Sequence, residues 1–202
     1  MRSSSTLLCR LEACKVRNTA LTAGGNHDRL VPMDIYTIGL EEQLRLLRRV
    51  AQPVQEINGE TVRLAENMID AMIRGNGIGL AGPQVGLLQR IFTVKIGDDE
   101  PLVFINPEII STSPEISSYE EGCLSIPGQY ADVKRPSVIQ VQAWNTRGRP
   151  FTIEADGLLA TVIQHEYDHL NGVLFIDHIN DRKKKKILGK FSLTPDEYPE
   201  VG

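Results

Sequence analysis

The stretch Gln164-His165-Glu166-Tyr167-Asp168-His169-Leu170 sets two histidines four residues apart, with a glutamate directly after the first. On an α-helix, positions i and i+4 share a face, so both imidazoles can grip one ion. Glu166 then sits where it can take and return a proton of a water held at that ion. The plain alternative is a surface helix with two solvated histidines. The preceding turns argue against it, because Leu158, Leu159, Val162 and Ile163 make them strongly apolar. Asp156 stands at the N-cap position, and Asn171-Gly172 supplies a left-handed stop. A buried helix over 157–170 that carries a metal site is the expectation.

Two histidines leave a catalytic ion one protein ligand short of the usual three plus an open position. A glutamate, histidine or cysteine elsewhere must supply the third. His27 falls in an irregular leader, and His178 follows shortly after the helix stop. A lone cysteine is more often a small buried hydrophobe than a ligand. Cys123 is nonetheless the stronger candidate, since it stands on a glycine-flexed stretch, 119–130, read here as a loop between strands. A second glycine-rich stretch, Gly77-Ile78-Gly79-Leu80-Ala81-Gly82-Pro83-Gln84-Val85-Gly86, lacks the Lys-Ser/Thr pair of a phosphate loop, and no strand is read before it. Its glycines let the backbone approach a partner closely, and Gln84 offers a carboxamide donor at its end.

The elements that must position these groups follow from periodicity. Leu44, Leu47 and Val50 mark a helix over 41–50 that Pro53 interrupts, and a longer one runs over 60–74 on Val62, Leu64, Ala65, Met68, Ile69 and Met72. Gly75-Asn76-Gly77 stops it. Strands are read over 90–96 and 101–105, with a turn at Asn106-Pro107, and over 109–117, where Pro114 demands an edge or a bulge. Val138–Trp144 and Pro150–Ala155 form a hairpin about Asn145-Thr146-Arg147-Gly148. The fold class is α+β, with small antiparallel β-sheets packed around one central helix. Residues 1–32, with Ser3-Ser4-Ser5, four arginines and Gly24-Gly25, show no sustained period. They are expected to be unstructured or absent from the mature protein, although a basic, serine-containing leader also resembles a transit peptide.

Composition narrows the class. A chain of 202 residues that is 41% apolar can bury one substantial core. A net charge of −4 gives no global field for nucleic acid, so no DNA partner is expected. Cys9, Cys14 and Cys123 make no even disulfide framework, which suits a reducing compartment. No apolar run approaches the roughly 18 residues of a membrane span.

Three segments, GIGLAGPQ at 77–84, EGCLS at 121–125 and QHEYDHL at 164–170, together resemble peptide deformylase. The resemblance covers about Met33 to Phe191 and implies one catalytic domain over 33–202. It implies a metal-dependent hydrolase that removes the N-formyl group from the formyl-methionine of nascent polypeptides and releases formate. The implied ion is Fe(2+), for which Zn(2+), Ni(2+) or Co(2+) can substitute. Carried over residue by residue, Cys123, His165 and His169 are the metal ligands, and Glu166 is general base and then general acid. Gln84 and the backbone N–H of Leu124 form the oxyanion hole. Ile78, Gly79, Tyr119, Glu121, Leu158, Thr161 and Val162 line the methionine pocket, and Glu121 pairs with Arg135. Departures are Gly82 for the usual alanine, expected to loosen its loop slightly, Tyr130 for an arginine of some bacterial members, and the polar Thr161. A bacterial cytoplasmic location is implied in preference to an organellar one. The basic run Asp181–Lys190 is a solvated face that could also dock to the ribosome. Two other readings compete: a zinc peptidase of the HExxH type, whose third ligand usually lies downstream, and a metal-stabilised binding protein, which predicts a lost base although Glu166 and Gln84 are present.

Overall fold

A computed structural model describes residues 31–202. Helix α1 spans Glu41–Leu47 and α2 spans Gly59–Arg74. The strands are β1, Gly79–Ala81; β2, Ile91–Val94; β3, Leu102–Thr112; β4, Ile116–Cys123; β5, Ile126–Pro136; β6, Val138–Trp144; and β7, Pro150–Asp156. Helix α3, Gly157–Leu170, and helix α4, Asp181–Gly189, complete the chain. All strand pairs are antiparallel, in a five-stranded sheet ordered β1-β2-β3-β6-β7 and a separate β4-β5 hairpin. The α+β expectation holds, with α3 at the centre.

Helix α2 starts where Asn58 Oδ1 accepts from the N–H groups of Glu60 and Thr61, which satisfies two orphan donors of the first turn. It stops at Gly75, and Asn76 takes a left-handed φ of 54°. Ala65, Met68, Ala71 and Met72 recur on one face and pack with Leu80, Ile91, Val103 and Ile105 of the sheet. A second cluster joins Phe92, Phe104, Val141 and Ile153 to Ala160, Ile163 and Leu170 of α3. The third joins Leu44 and Leu47 of α1 to Ile126 and Val133 of β5, Leu174–Ile176, and Ile187 and Leu188 of α4. Helix α3 therefore has a sheet on one side and the β4-β5 hairpin on another. This is why it is buried along most of its length.

Several sequence expectations need correction. The stretch 119–130 is not a loop but the end of the β4-β5 hairpin, in register from Ile116↔Pro136 to Gly122↔Tyr130. Asn106-Pro107 does not turn the chain. Instead β3 runs on through it with a register shift, Asn106 at φ 49°, and its carboxamide bonds both the N–H and the C=O of Val54. Pro114 lies between β3 and β4, outside any strand. Helix α1 ends at Leu47 rather than at residue 50, because Val50 and Ala51 turn their N–H groups to Gly202 O and Leu170 O. Asp156 precedes α3 as expected but its side chain makes no capping bond. The glycine-rich stretch contains a strand of its own, β1. Expectations for residues 1–30, His27 and two of the cysteines included, lie outside the described residues.

Candidate active site

His165 and His169 stand one helical turn apart on α3, both buried, with ring centroids 5.1 Å apart. Cys123 ends β4, where the hairpin register slips from Gly122↔Tyr130 to Cys123↔Ile126 and leaves Pro127, Gly128 and Gln129 unpaired. Bulges of this kind re-aim side chains beside functional sites. Here the result brings Cys123 Sγ to 3.2 Å from His169 Nε2. One donor atom from each of Cys123, His165 and His169 lies within 4.8 Å of the others. Among the described residues this trio is the cluster fit for a metal ion; His178 is not part of it.

The donor set passes a chemical test. A soft thiolate with two imidazoles suits a divalent transition metal. Glu121 Oε2 accepts from His165 Nδ1 at 2.8 Å, so the Nδ1 carries the proton and Nε2 keeps its lone pair for a metal. Arg135 grips both oxygens of Glu121 at 2.6 and 3.0 Å. Burial opposes the charge on Glu121, yet the His165 and Arg135 hydrogen bonds hold its carboxyl down at about 2. Burial likewise opposes a proton on His165, but Cys123 and Glu121 raise its affinity well above the ordinary value. Burial, with the positive charge of its neighbours, holds His169 well below the usual histidine range, in the neutral form a metal needs.

Glu166 is buried, and its Oε2 has no hydrogen-bond partner. Burial pushes its carboxyl up to about 7, the range wanted of a group that must take and give a proton near neutrality. Its neighbour is Gly79 of β1, where any Cβ would collide with Glu166 Oε1. The close approach anticipated for the glycine-rich stretch is this contact. Gln84 sits on the one-turn helix Gly82–Val85, with Oε1 accepting from Ala81 N–H at 2.8 Å. That bond fixes the amide, so Nε2 points to Cys123 Sγ at 3.5 Å and Ser125 Oγ at 3.3 Å. Gly82 does not loosen this turn. A methyl there would meet Gln89 O at 2.7 Å and Leu87 O at 2.9 Å, so glycine permits tight backbone packing.

A cleft of about 490 Å³ opens over these groups. It is lined by Ile78, Gly79, Gln84, Tyr119, Glu121, Cys123, Leu124, Leu158, Thr161, Val162, His165 and Glu166. His169 lies beneath it. Tyr130 lines the mouth and is 66% exposed, lying over Gly122, where a Cβ would meet its ring. The sequence reading missed Ser125, buried beside Gln84, and the pairing of Asp168 with Arg135 at 2.8 Å. Asp168 stands at a variable position of the HExxH stretch, and nothing in its spacing names an arginine far upstream as partner.

A buried HExxH helix, a cysteine grouped with both its histidines and a carboxamide facing the cleft fit a metallohydrolase. The chain belongs to the polypeptide deformylase family, whose profile matches residues 33–185. It is 48% identical to a peptide deformylase of Agrobacterium fabrum over 151 residues, 73% of this chain and 89% of that one. Its fold is similar to the crystal structure of a peptide deformylase from Synechococcus elongatus in complex with actinonin, with a TM-score of 0.77 and 39% identity over 84% of this chain and 93% of that one. It is likewise similar to the peptide deformylase of Thermotoga maritima, with a TM-score of 0.70 and 41% identity over 74% of this chain and 99% of that one. The family is one of metal-dependent hydrolases that act on the N-formyl group of nascent chains.

Proposed function

We propose that this chain hydrolyses the formamide of formyl-methionyl polypeptides, with Cys123, His165 and His169 holding one divalent ion. The observation that carries the reading is the Cys-His-His cluster beside a buried, unpartnered Glu166. Fe(2+) is the proposed native ion, with Zn(2+), Ni(2+) or Co(2+) as substitutes, since thiolate and imidazole donors accept all four. When bound, such an ion polarises a carbonyl and lowers the pKa of water.

Glu166 takes a proton from the attacking water, and the oxygen adds to the formyl carbon. Gln84 Nε2 donates to the oxyanion that develops, together with the backbone N–H of Leu124. Donors of this kind are each worth about 10²–10³ in turnover. Glu166 then returns the proton to the amine as the C–N bond breaks, leaving formate and a free N-terminus. Leu158, Thr161, Val162, Tyr119, Ile78 and Gly79 are assigned to the methionine side chain, which is flexible and apolar enough for such a mixed wall. The catalytic unit is taken to start at Met33, where the family match begins.

No helix among the described residues is long and apolar enough to cross a membrane. We place the enzyme in the bacterial cytoplasm, where formylated chains arise, in preference to an organelle. Docking to the ribosome is assigned to α4, whose Lys183, Lys185 and Lys186 are exposed, whereas Lys184 is held by Asp177. Replacing those three with glutamine should lower salt-sensitive ribosome co-sedimentation without changing activity on short peptides; unchanged co-sedimentation would remove the docking role.

The test of the whole reading is formate release from formyl-Met-Ala-Ser by anaerobically purified protein, with the metal content measured alongside. Cleavage of blocked internal peptides in place of formate release would favour the zinc peptidase instead. The third donor here comes from an upstream strand, which supports the deformylase.

A further inference from the structure

The chain of contacts behind His165 does not stop at Glu121 and Arg135. Arg135 Nη1 donates to Asp168 Oδ2 at 2.8 Å, and His178 Nε2 lies 2.7 Å from the same oxygen. An ionised carboxylate only accepts, so His178 Nε2 carries a proton and donates. His178 is 35% exposed in its side chain, Asp168 21%, and Arg135 and Glu121 only 6% and 4%. A continuous line of charge-assisted hydrogen bonds therefore runs from the surface to the Nδ1 of a metal-ligating imidazole.

A second, separate contact joins the same turn to the same ligand. Phe175 stands three residues before His178 in the short turn after α3, and its ring stacks on His165 with centroids 6.2 Å apart and planes at 23°. The turn is itself fixed from behind, because Asp177 is held by Arg48 and Lys184. His165 is thus held on its face by Phe175 and at its Nδ1 through a line that ends at His178.

We propose that His178 is a positioning residue for His165, acting through Asp168, Arg135 and Glu121. Without its donation, the Asp168 carboxylate has only Arg135 to fix it and is free to swing toward solvent. Arg135 then loses the outer of its two anchors, and the fork that orients Glu121 against His165 is less sharply set. Partners directly behind a ligand are typically worth about 10–100-fold in metal affinity. His178 stands further out, so removing it should cost less, on the order of 3–10-fold by the same scale.

The proposal rests on His165 holding the metal, and cobalt(II) ions serve as the probe because their visible band reports ligand geometry independently of turnover. Wild type, His178→Ala, His178→Gln, Arg147→Ala and His165→Ala are titrated with cobalt(II), and melting of each metal-free protein is recorded. His178→Ala should weaken cobalt(II) binding about 3–10-fold and shift the band. His178→Gln, whose amide can donate to Asp168, should restore both in large part. Arg147→Ala, exposed in the turn between β6 and β7 and off the line, should match wild type. A His178→Ala protein that melts lower but keeps wild-type affinity and band would make the contact a surface brace and overturn the proposal. An unchanged affinity and band without any change in melting would overturn it equally. Should His165→Ala bind cobalt(II) as tightly as wild type, it is the ligand assignment that fails, and the two failures are told apart.

Discussion

Two buried arginines anchor two ionic networks on opposite sides of the turn at residues 174–178, and they are built differently. Arg135 lies between two acids, Glu121 and Asp168, and the line passes inward to His165. Arg48 shares one acid, Asp177, with Lys184, and otherwise donates to the carbonyls of Gly172 and Pro199 at 2.8 Å each. The Tyr198 ring lies over the Arg48 guanidinium at 4.5 Å and near Lys184 Nζ at 4.3 Å. The first network runs from Asp168 and Glu121 toward the cluster of Cys123, His165 and His169. The second spends its charge on backbone carbonyls and an aromatic face, which leads nowhere near the cleft. Similar ingredients, a buried guanidinium with carboxylates, lead toward His165 in one place and join the end of α1 to residues 172–199 in the other.

If that division is right, variants must separate turnover from stability. Glu166→Ala sets the upper limit, since it touches neither network. Formate release should fall by at least about 10²-fold while cobalt(II) binding persists; near-normal turnover would take Glu166 out of its role. Arg135→Ala should lower both melting and activity, because it leaves Glu121 as a buried charge short of its main partner. Removing one partner of a buried pair costs about 3–5 kcal/mol. Abolished turnover with unchanged melting would instead give Arg135 a direct part in the chemistry.

Arg48→Met should affect stability alone. It removes donors from two carbonyls and one of two cations from Asp177, a loss of about 2–4 kcal/mol. Cobalt(II) affinity in the surviving fold should stay within about twofold of wild type, and a larger loss would mean the two networks are coupled. The smallest expected effect is on acid stability. Burial opposes the charge on Asp177, but Lys184, the Leu174 N–H and Arg48 hold its pKa below the ordinary value. The unfolded chain binds the proton more readily, so the stabilisation is present above about pH 4 and is lost as pH falls through the folded value. Asp177→Asn should therefore flatten the fall in melting temperature below about pH 4, measured by calorimetry. An unaltered acid slope would show that other carboxylates, Glu121 first among them, account for it.

The part of the site legible in the sequence was the part written in local spacing. His165, Glu166 and His169 follow from one helical turn, and α2, α3 and the β6-β7 hairpin from their periods. The β4-β5 pairing was hidden because its inward positions include Glu121 and Arg135, so the alternation that marks a half-buried strand is broken by charge. Those charges face in, where Glu121 bonds both Arg135 and His165. The same holds for Asn106, whose turn-like sequence is used to bond the backbone at Val54 from within a strand. Gly82 read as a loosening because only the lost methyl was visible, not the carbonyls of Leu87 and Gln89 that fill its place. His178 was weighed only as a third ligand, and its contact with Asp168 was hidden because it is set by how the chain turns after α3.

Arg48 also ties the molecule's completion to a clock. It sits in the first quarter of the chain, yet one of its carbonyl acceptors lies 151 residues further on. At a synthesis rate of about 5–20 residues per second, that acceptor emerges roughly 8–30 s after the guanidinium. Until Gly172, Asp177 and Pro199 are all out, the arginine lacks its full set of buried partners, and the apolar face of α1 is covered only in part, by Ile126 and Val133 of β5. The ligand helix is made in the same interval, after Cys123 and Gln84 are already out. Arrested chains lacking residues 172–202 should neither resist protease nor release formate, and full protection at that length would show that α1 settles without its late partners.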